Sequence, residues 1–197
     1  MESGFLYSKI VDPALVKLRK KVSTAVPPGK KIIDIACGTG AQVFELAPKS
    51  NFVAGVDYSV SMIKKAENSK LKIGATNIVF KLCDVTKGLE FADHYFDVSI
   101  MSLALHQFSS EYYQEILKEM KRISSTLIFV DYAVPVPKNI AGKGTKIAEY
   151  FAGKDHFRNY RSYNKIGGLP EILKLNQIKI EKQQFFAWGV FQLAVCS

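Results

Sequence analysis

Lys31-Ile32-Ile33-Asp34-Ile35-Ala36-Cys37-Gly38-Thr39-Gly40 decides the fold. Its first half is a short apolar run of the kind buried on both faces of a sheet. It ends in two glycines. Ala41 to Ala47 then reads as a helix stopped by Pro48. A strand that turns sharply on glycines into a helix is the opening of an α/β unit, and the glycines let backbone approach a ligand. Working outward, Phe52 to Val56 is a second strand, closed by Asp57. Ser59 caps a helix running to Leu71. Ile78 to Leu82 is a third strand and Tyr95 to Met101 a fourth. Ser110 to Arg122 sets Tyr113, Ile116, Leu117 and Met120 on one helical face, and Thr126 to Val130 is a fifth strand. Strands alternating with helices predict a parallel sheet with crossover helices. The tail, Gln177 to Cys196, alternates in two stretches that meet near Ala187-Trp188-Gly189, as an antiparallel pair would. The expected fold is therefore α/β, a Rossmann-like, seven-stranded, mostly parallel sheet with helices on both faces and an antiparallel last strand.

One domain is expected over 1–197, with a helical N-terminal flap over about 1–28 and an insertion over about 135–168. The first helix is predicted from a cap at Asp12, with Pro13 in its first turn, to about Ala25. The insertion follows Pro135-Val136-Pro137 and mixes Tyr150, Phe151, Phe157, Tyr160 and Tyr163 with basic residues.

Composition bounds the function classes. The chain has 197 residues, 48% hydrophobic and 23% charged, as in ordinary globular proteins. Three cysteines without paired spacing argue against a disulfide framework or a zinc site, and no metal ligand is assigned. No secretory leader is visible, and the apolar-rich run near Phe185 to Cys196 is shorter than the ~20 residues a membrane span needs. A cytoplasmic setting is the expectation. Net charge is +9, concentrated between Lys9 and Lys31 and between Lys138 and Lys165. Such a balance favours an anionic partner, although no nucleic-acid-binding module accompanies it.

The chemistry lies around the glycine turn. Asp57 falls 17 positions after Gly40, where an acid accepts hydrogen bonds from ribose hydroxyls. A dinucleotide fingerprint needs a third glycine where this chain has Val43, and a phosphate loop needs Gly-Lys-Ser/Thr, which is absent. Asp34 just before the turn suits a cationic group better than a pyrophosphate.

These residues resemble the motifs of the class I S-adenosylmethionine-dependent methyltransferases: an acid, then x-G-x-G, with a second acid ending strand two. The resemblance continues through Cys83-Asp84-Val85 and through strand four with its loop, Phe96 to His106, and covers roughly residues 29 to 132. It implies S-adenosylmethionine as cofactor and transfer of its methyl group, by in-line displacement, to a small-molecule acceptor, in which an anionic group would suit the basic insertion. The resemblance also assigns roles. Asp34, Ala36 and the Gly38 to Gly40 backbone would hold the methionine end, and Asp57 the ribose. Tyr58 and Met62 would flank the adenine, with Asp84 and Val85 at its amino edge. Ser102 and Leu103 would line the channel to the acceptor. The chain is most similar to the branch containing ubiquinone- and menaquinone-biosynthesis methyltransferases. It departs from their Gly-Ile-Arg-Asn stretch after strand four, having Leu103-Ala104-Leu105-His106 there. A nucleic-acid or protein methyltransferase and a non-catalytic cofactor-binding protein are the alternatives.

Candidate catalytic groups follow from position. His106 lies after strand four and Asp131 ends strand five, both at the carboxyl edge of the sheet, where ligands bind. His106 is the candidate base for an acceptor that keeps its proton. His156 sits in the insertion, expected to cap the acceptor, where Arg158, Arg161 and Lys165 would meet an anion. Tyr7 is a candidate beneath the N-terminal flap. His94 is expected to face away, and Cys37 and Cys83 to be bystanders.

Overall fold

A computed structural model describes the backbone of residues 4–139, 142, 145, 149–151 and 153–197, and the side chains of these from residue 15 onward. Tyr7's side chain, and Lys143, Gly144, Lys146 and Ile147 of the insertion, lie outside the described residues.

Seven strands form one sheet in the order β3-β2-β1-β4-β5-β7-β6. They are β1 (Lys31–Ile35), β2 (Phe52–Asp57), β3 (Ile78–Leu82), β4 (Phe96–Ser102), β5 (Ser124–Tyr132), β6 (Ile180–Phe186) and β7 (Phe191–Cys196). The first five are parallel, whereas β7 pairs antiparallel with both β5 and β6. The chain moves outward from β1 to β2 and β3, then returns to β4 on the other side of β1. The sheet's order thus reverses between β1 and β4, and a crevice opens there at the strands' carboxyl ends.

The helices are α1 (Gly4–Ala25), α2 (Ala41–Leu46), α3 (Val60–Ile73), α4 (Tyr113–Ile123), α5 (Lys154–Ile166) and α6 (Gly168–Leu175). They cover the sheet's two faces through two apolar layers. In one, Leu18, Val22, Val43 and Leu46 meet Ile32 and Val53. In the other, Ile116, Leu117 and Met120 of α4 and Leu169, Ile172 and Leu173 of α6 meet Ile33, Ile35 and Phe129. Strand side chains feed both layers, Ile33, Ile35, Phe96 and Met101 into one and Ile32, Val98 and Ile100 into the other, which is why apolar residues of β1 and β4 are buried on both faces. Among the described residues no helix is long and apolar enough to cross a membrane.

The first helix starts earlier than its sequence signal. Gly4–Ala25 is continuous, so Asp12 is no cap and Pro13 lies in the helix interior. Leu6, Ile10, Ala14, Leu18 and Val22 recur every four residues across Pro13, an unbroken helical stripe, and proline removes only one N–H donor from it. Its second half is core, with Leu18 and Val22 buried. The Lys49 ammonium donates to the carbonyls of Ser23 and Val26 near its end. The cap at Ser59 is present, its side chain accepting from Met62 N–H.

The outer strand β6 runs along the sheet edge with Glu181 to Phe185 exposed, and its register with β7 slips between Ile180 and Lys182.

Gly55 allows close packing around the crevice. A Cβ there would stand 2.7 Å from the Phe80 ring and 2.9 Å from Cys37 Sγ. Gly55→Ala is expected to destabilise the fold by about 1–3 kcal/mol, the usual range for overpacking. Phe80→Leu in the same chain should recover part of that loss. Urea denaturation of the single and double variants checks both outcomes.

Candidate active site

The glycine turn is tied to β2 by one carboxylate. Asp57 Oδ2 accepts from Gly38 N–H and Oδ1 from Ser59 N–H, each at 2.8 Å. The acid at the end of β2 therefore organises the turn that follows β1 and the entry to α3. Each oxygen keeps lone-pair capacity for a further donor. Gly38 and Gly40 both have positive φ, and a Cβ on Gly40 would lie 2.5 Å from the Phe80 ring. The residues ending β1 and β4 behave alike: Ala36 and Leu103 adopt φ of 58° and 52°. Left-handed backbone is uncommon in residues with a Cβ. Here it turns both chains away from the sheet at the crevice.

Asp34 lies on β1 beneath this turn, buried, with Oδ1 lacking a partner. Burial first, and then the nearby Asp57 charge, push its pKa up to about 8. A buried carboxyl without a cation is costly to ionise. Cys37, beside both acids, has its thiol pushed well above its ordinary value, chiefly by burial. It is unsuited to act as a thiolate.

The remaining expected cofactor residues ring the same edge. Tyr58 is exposed and Met62 half-buried after β2. Asp84 follows β3 and caps a single turn, accepting from Thr86 N–H at 3.1 Å and Thr86 Oγ1 at 2.7 Å. Those bonds, the hydroxyl first, hold its carboxyl below the usual range. Val85 beside it is buried. Ser102 ends β4 with a buried, unpartnered Oγ.

The acceptor side carries a second buried constellation. The His106 ring and Asp131 lie 2.5 Å apart, Nδ1 to Oδ1, and Asp131 Oδ2 accepts from His106 N–H at 3.1 Å. Asp131 Oδ1 also accepts from Tyr132 N–H at 2.7 Å. His106 Nε2 faces Glu149 Oε1 at 3.4 Å, an ion pair without hydrogen-bond alignment. Tyr132 OH donates to that same Glu149 oxygen at 2.9 Å. Burial opposes the charged ring, but the Asp131 charge and hydrogen bond, with Glu149 adding to them, raise His106 to about 9. At neutral pH it is an imidazolium flanked by two carboxylates.

The insertion is fastened over this cluster. Tyr163 OH donates to Tyr132 O at 2.9 Å and accepts from Leu169 N–H at 3.0 Å. Asn159 Nδ2 donates to Gln107 O at 2.6 Å. Tyr160 and Tyr163 are buried against the sheet. Arg158 is exposed and pairs with Asp155 at 3.1 Å, and Arg161 and Lys165 are also exposed. The structure brings none of the three to the His106 cluster, because α5 turns its tyrosines inward and its basic residues to solvent. His156 is half-buried, and its charge acts on Glu149. His94 lies just before β4, at the far edge from the cluster, with N–H bonded to Arg122 O. Glu149 was invisible as a site residue in the sequence. Its one signal is that it is an acid in a basic, aromatic stretch. Among the described residues no group of three His, Cys, Asp or Glu has the arrangement of a metal site.

Asp34 and His106 tilt stability the same way. Asp34, raised from 3.8 to about 8, keeps a proton in the folded state that the unfolded chain has released, so stability falls as pH rises through that range. His106, raised from 6.5 to about 9, contributes stability that is complete below 6.5 and lost by about 9. The ligand-free protein should therefore weaken steadily towards alkaline pH, by at most about 1.4 kcal/mol per pH unit for each proton. Asp34→Asn should be more stable than the parent at pH 8, with a margin that shrinks towards pH 4. Urea midpoints across pH 4 to 9 measure both slopes.

Comparison with known proteins fits this geometry. Residues 27–182 match the family model described as a methyltransferase domain. The chain is 29% identical over 137 residues to a demethylmenaquinone methyltransferase of Corynebacterium urealyticum, covering 68% of this chain and 53% of that protein. It spans about half the length of the curated relatives it matches. Among solved structures, a SAM-dependent methyltransferase from Aquifex aeolicus superimposes with a TM-score of 0.71 at 18% identity, over 96% of this chain and 95% of that one. Magnesium protoporphyrin IX methyltransferase from Synechocystis, solved with bound SAH, gives 0.63 at 18% identity, over 100% and 88%. The solved structures share the fold, and with a family match over most of its length the chain belongs to the methyltransferase-domain family.

Proposed function

We propose that the protein transfers a methyl group from S-adenosylmethionine to a small-molecule acceptor. One observation carries this reading: at the β1/β4 crevice, a buried carboxyl with an unpartnered oxygen lies beside a glycine turn whose organising acid has lone pairs to spare. An ammonium or sulfonium is the partner Asp34 lacks, and a ribose diol matches Asp57. The empty third-glycine position, Val43, disfavours a dinucleotide.

In this reading Asp34, Ala36 and the Gly38 to Gly40 backbone hold the methionine end, and Asp57 accepts from the ribose. Tyr58, Met62, Asp84 and Val85 surround the adenine. Ser102 and Leu103 line the passage to the acceptor. When bound, the sulfonium supplies a methyl group already activated for displacement. The chain's own task is then to align the acceptor and keep water out, which is where such sites gain most of their rate. Tyr132, Tyr160 and Tyr163 serve the second purpose. His106, oriented by Asp131, and His156 serve the first. The demethylmenaquinone-methylating relatives and the porphyrin-methylating neighbour support an acceptor of small-molecule size.

Titration calorimetry should show binding of S-adenosylmethionine and S-adenosylhomocysteine and none of NADH. Tight NADH binding with no response to S-adenosylhomocysteine would overturn the reading. Asp57→Asn, which keeps one of the two backbone ties and loses the charge, should weaken S-adenosylhomocysteine about 10- to 100-fold, the worth of one charged hydrogen bond. With labelled donor and a metabolite extract, His106→Gln should lose turnover while its affinity for S-adenosylhomocysteine stays at the parental level.

A further inference from the structure

Glu149 is the member of the buried cluster that the fold least requires. Asp131 stands on a central strand and is satisfied by two backbone N–H groups and the His106 ring. Glu149 belongs to the connection between β5 and α5, and one of its oxygens, Oε2, is buried without any partner. Its other oxygen takes the Tyr132 hydroxyl proton and faces His106 Nε2, which has no aligned partner either. Burial works against the charged Glu149 carboxyl, yet His106 and Tyr132, with the His156 charge beyond them, hold it below its usual range, as a place that fits an anion would. Without the Glu149 carboxylate, the Tyr132 hydroxyl and His106 Nε2 remain 2.9 and 3.4 Å from the place its Oε1 held.

That place lies among aromatic rings in contact with one another. The His106 ring is 4.8 Å from Tyr132 and 6.2 Å from both Tyr160 and Tyr163, centroid to centroid. Tyr160 meets Tyr132 edge-on at 5.4 Å. His106 follows β4, three positions after Leu103, on the acceptor side of the crevice. We propose that His106 and Tyr132 form the oxyanion-binding end of the acceptor site, for a planar aromatic anion, and that the carboxylate of Glu149 occupies that place in the ligand-free chain.

The chemistry shared by the candidate ligands is a flat π-system ending in O⁻, either a phenolate or a carboxylate. A flat body standing where the Glu149 side chain is would have aromatic neighbours. The N–H of a charged imidazole and a phenol O–H are strong donors to an oxyanion. His106 then works as a hydrogen-bond donor rather than a base, in keeping with its pKa near 9. An acceptor held as its anion has already lost the proton a base would remove. Glu149 acts as an internal competitor that the acceptor displaces, and it keeps the donors paired until then.

The assignment to an acceptor rests on the methyl-transfer reading, but its test does not. The probe is 4-nitrophenolate, read from its absorbance change on binding at about pH 8, where the free dye is mostly the anion. Benzoate is read by competition with the dye. Glu149→Ala is expected to bind the dye at least about tenfold more tightly than the parent, the effect of freeing one charge-assisted donor pair. Adding His106→Gln or Tyr132→Phe should return affinity to the parental level. Benzoate displacing the dye with the higher affinity would identify a carboxylate, and preference for the dye a phenolate. If Glu149→Ala does not fold, Glu149→Gln, which keeps the shape and loses the charge, should still gain about threefold or more. Equal dye binding by the parent and the folded Glu149 variants overturns the proposal. So does a gain that survives His106→Gln and Tyr132→Phe, since Glu149 would then be a structural member of the cluster. Loss of the S-adenosylhomocysteine response with these results intact would overturn methyl transfer and leave the anion site standing.

Discussion

The pairing of β1 with β4 is the constraint from which the rest follows. These strands lie side by side in space but are separated in sequence by two complete strand–helix units, and the chain leaves them in opposite directions. No loop can then cover the gap at their carboxyl ends. Ala36 and Leu103, both left-handed, complete the divergence. The polar residues gathered at that gap, Asp34, Asp57, Ser102 and His106, come from three different strands or their exits. The sheet alone makes them neighbours.

What the sequence discloses depends on how local the determining physics is. The glycine turn, Asp57 and the Ser59 cap are legible because each is fixed by residues a few positions away. The third strand, Ile78–Leu82, is read with the right ends because polar or turn residues bound it on both sides. The start of α1 is misread because an aspartate followed by a proline is a strong local start signal, and the four-residue apolar stripe that overrides it spans a longer window. The insertion is legible as a cap over the carboxyl edge in composition only. Which face of α5 turns inward is settled by distant groups: Tyr132 O, Gln107 O and the start of α6. The basic residues, conspicuous in the sequence, end in solvent. Tyr160, Tyr163 and Glu149, unremarkable there, reach the interior. The pairing of His106 with Asp131 spans 25 positions, and no spacing rule reports it.

The two halves of the site suit ligands of opposite charge. On the donor side, the buried Asp34 lacks a positive partner. On the acceptor side, the Glu149 carboxylate is held by Tyr132 and faces His106, with Oε2 left without a partner. The unpaired Asp34 weakens the ligand-free fold, and sites held in this way commonly trade stability for function. A cation entering the first half would relieve that cost, and an anion entering the second would take over the donors that Glu149 now holds. The protein needs no rearrangement of its sheet for either.

The edge strand β6 bears on how copies of this chain behave in a crowded solution. An unpaired strand edge is a template for another chain's backbone, and long, flat, apolar edges seed aggregation. On β6, Glu181 and Lys182 put both signs of charge on the outermost strand, followed by Gln183 and Gln184. The register slip at its start interrupts the regular ladder of donors and acceptors that an incoming strand would need. The exposed Phe185 near its far end is the one large apolar side chain in this run. The hairpin that completes the sheet thus also ends it, leaving a border that resists extension by a neighbour's strand.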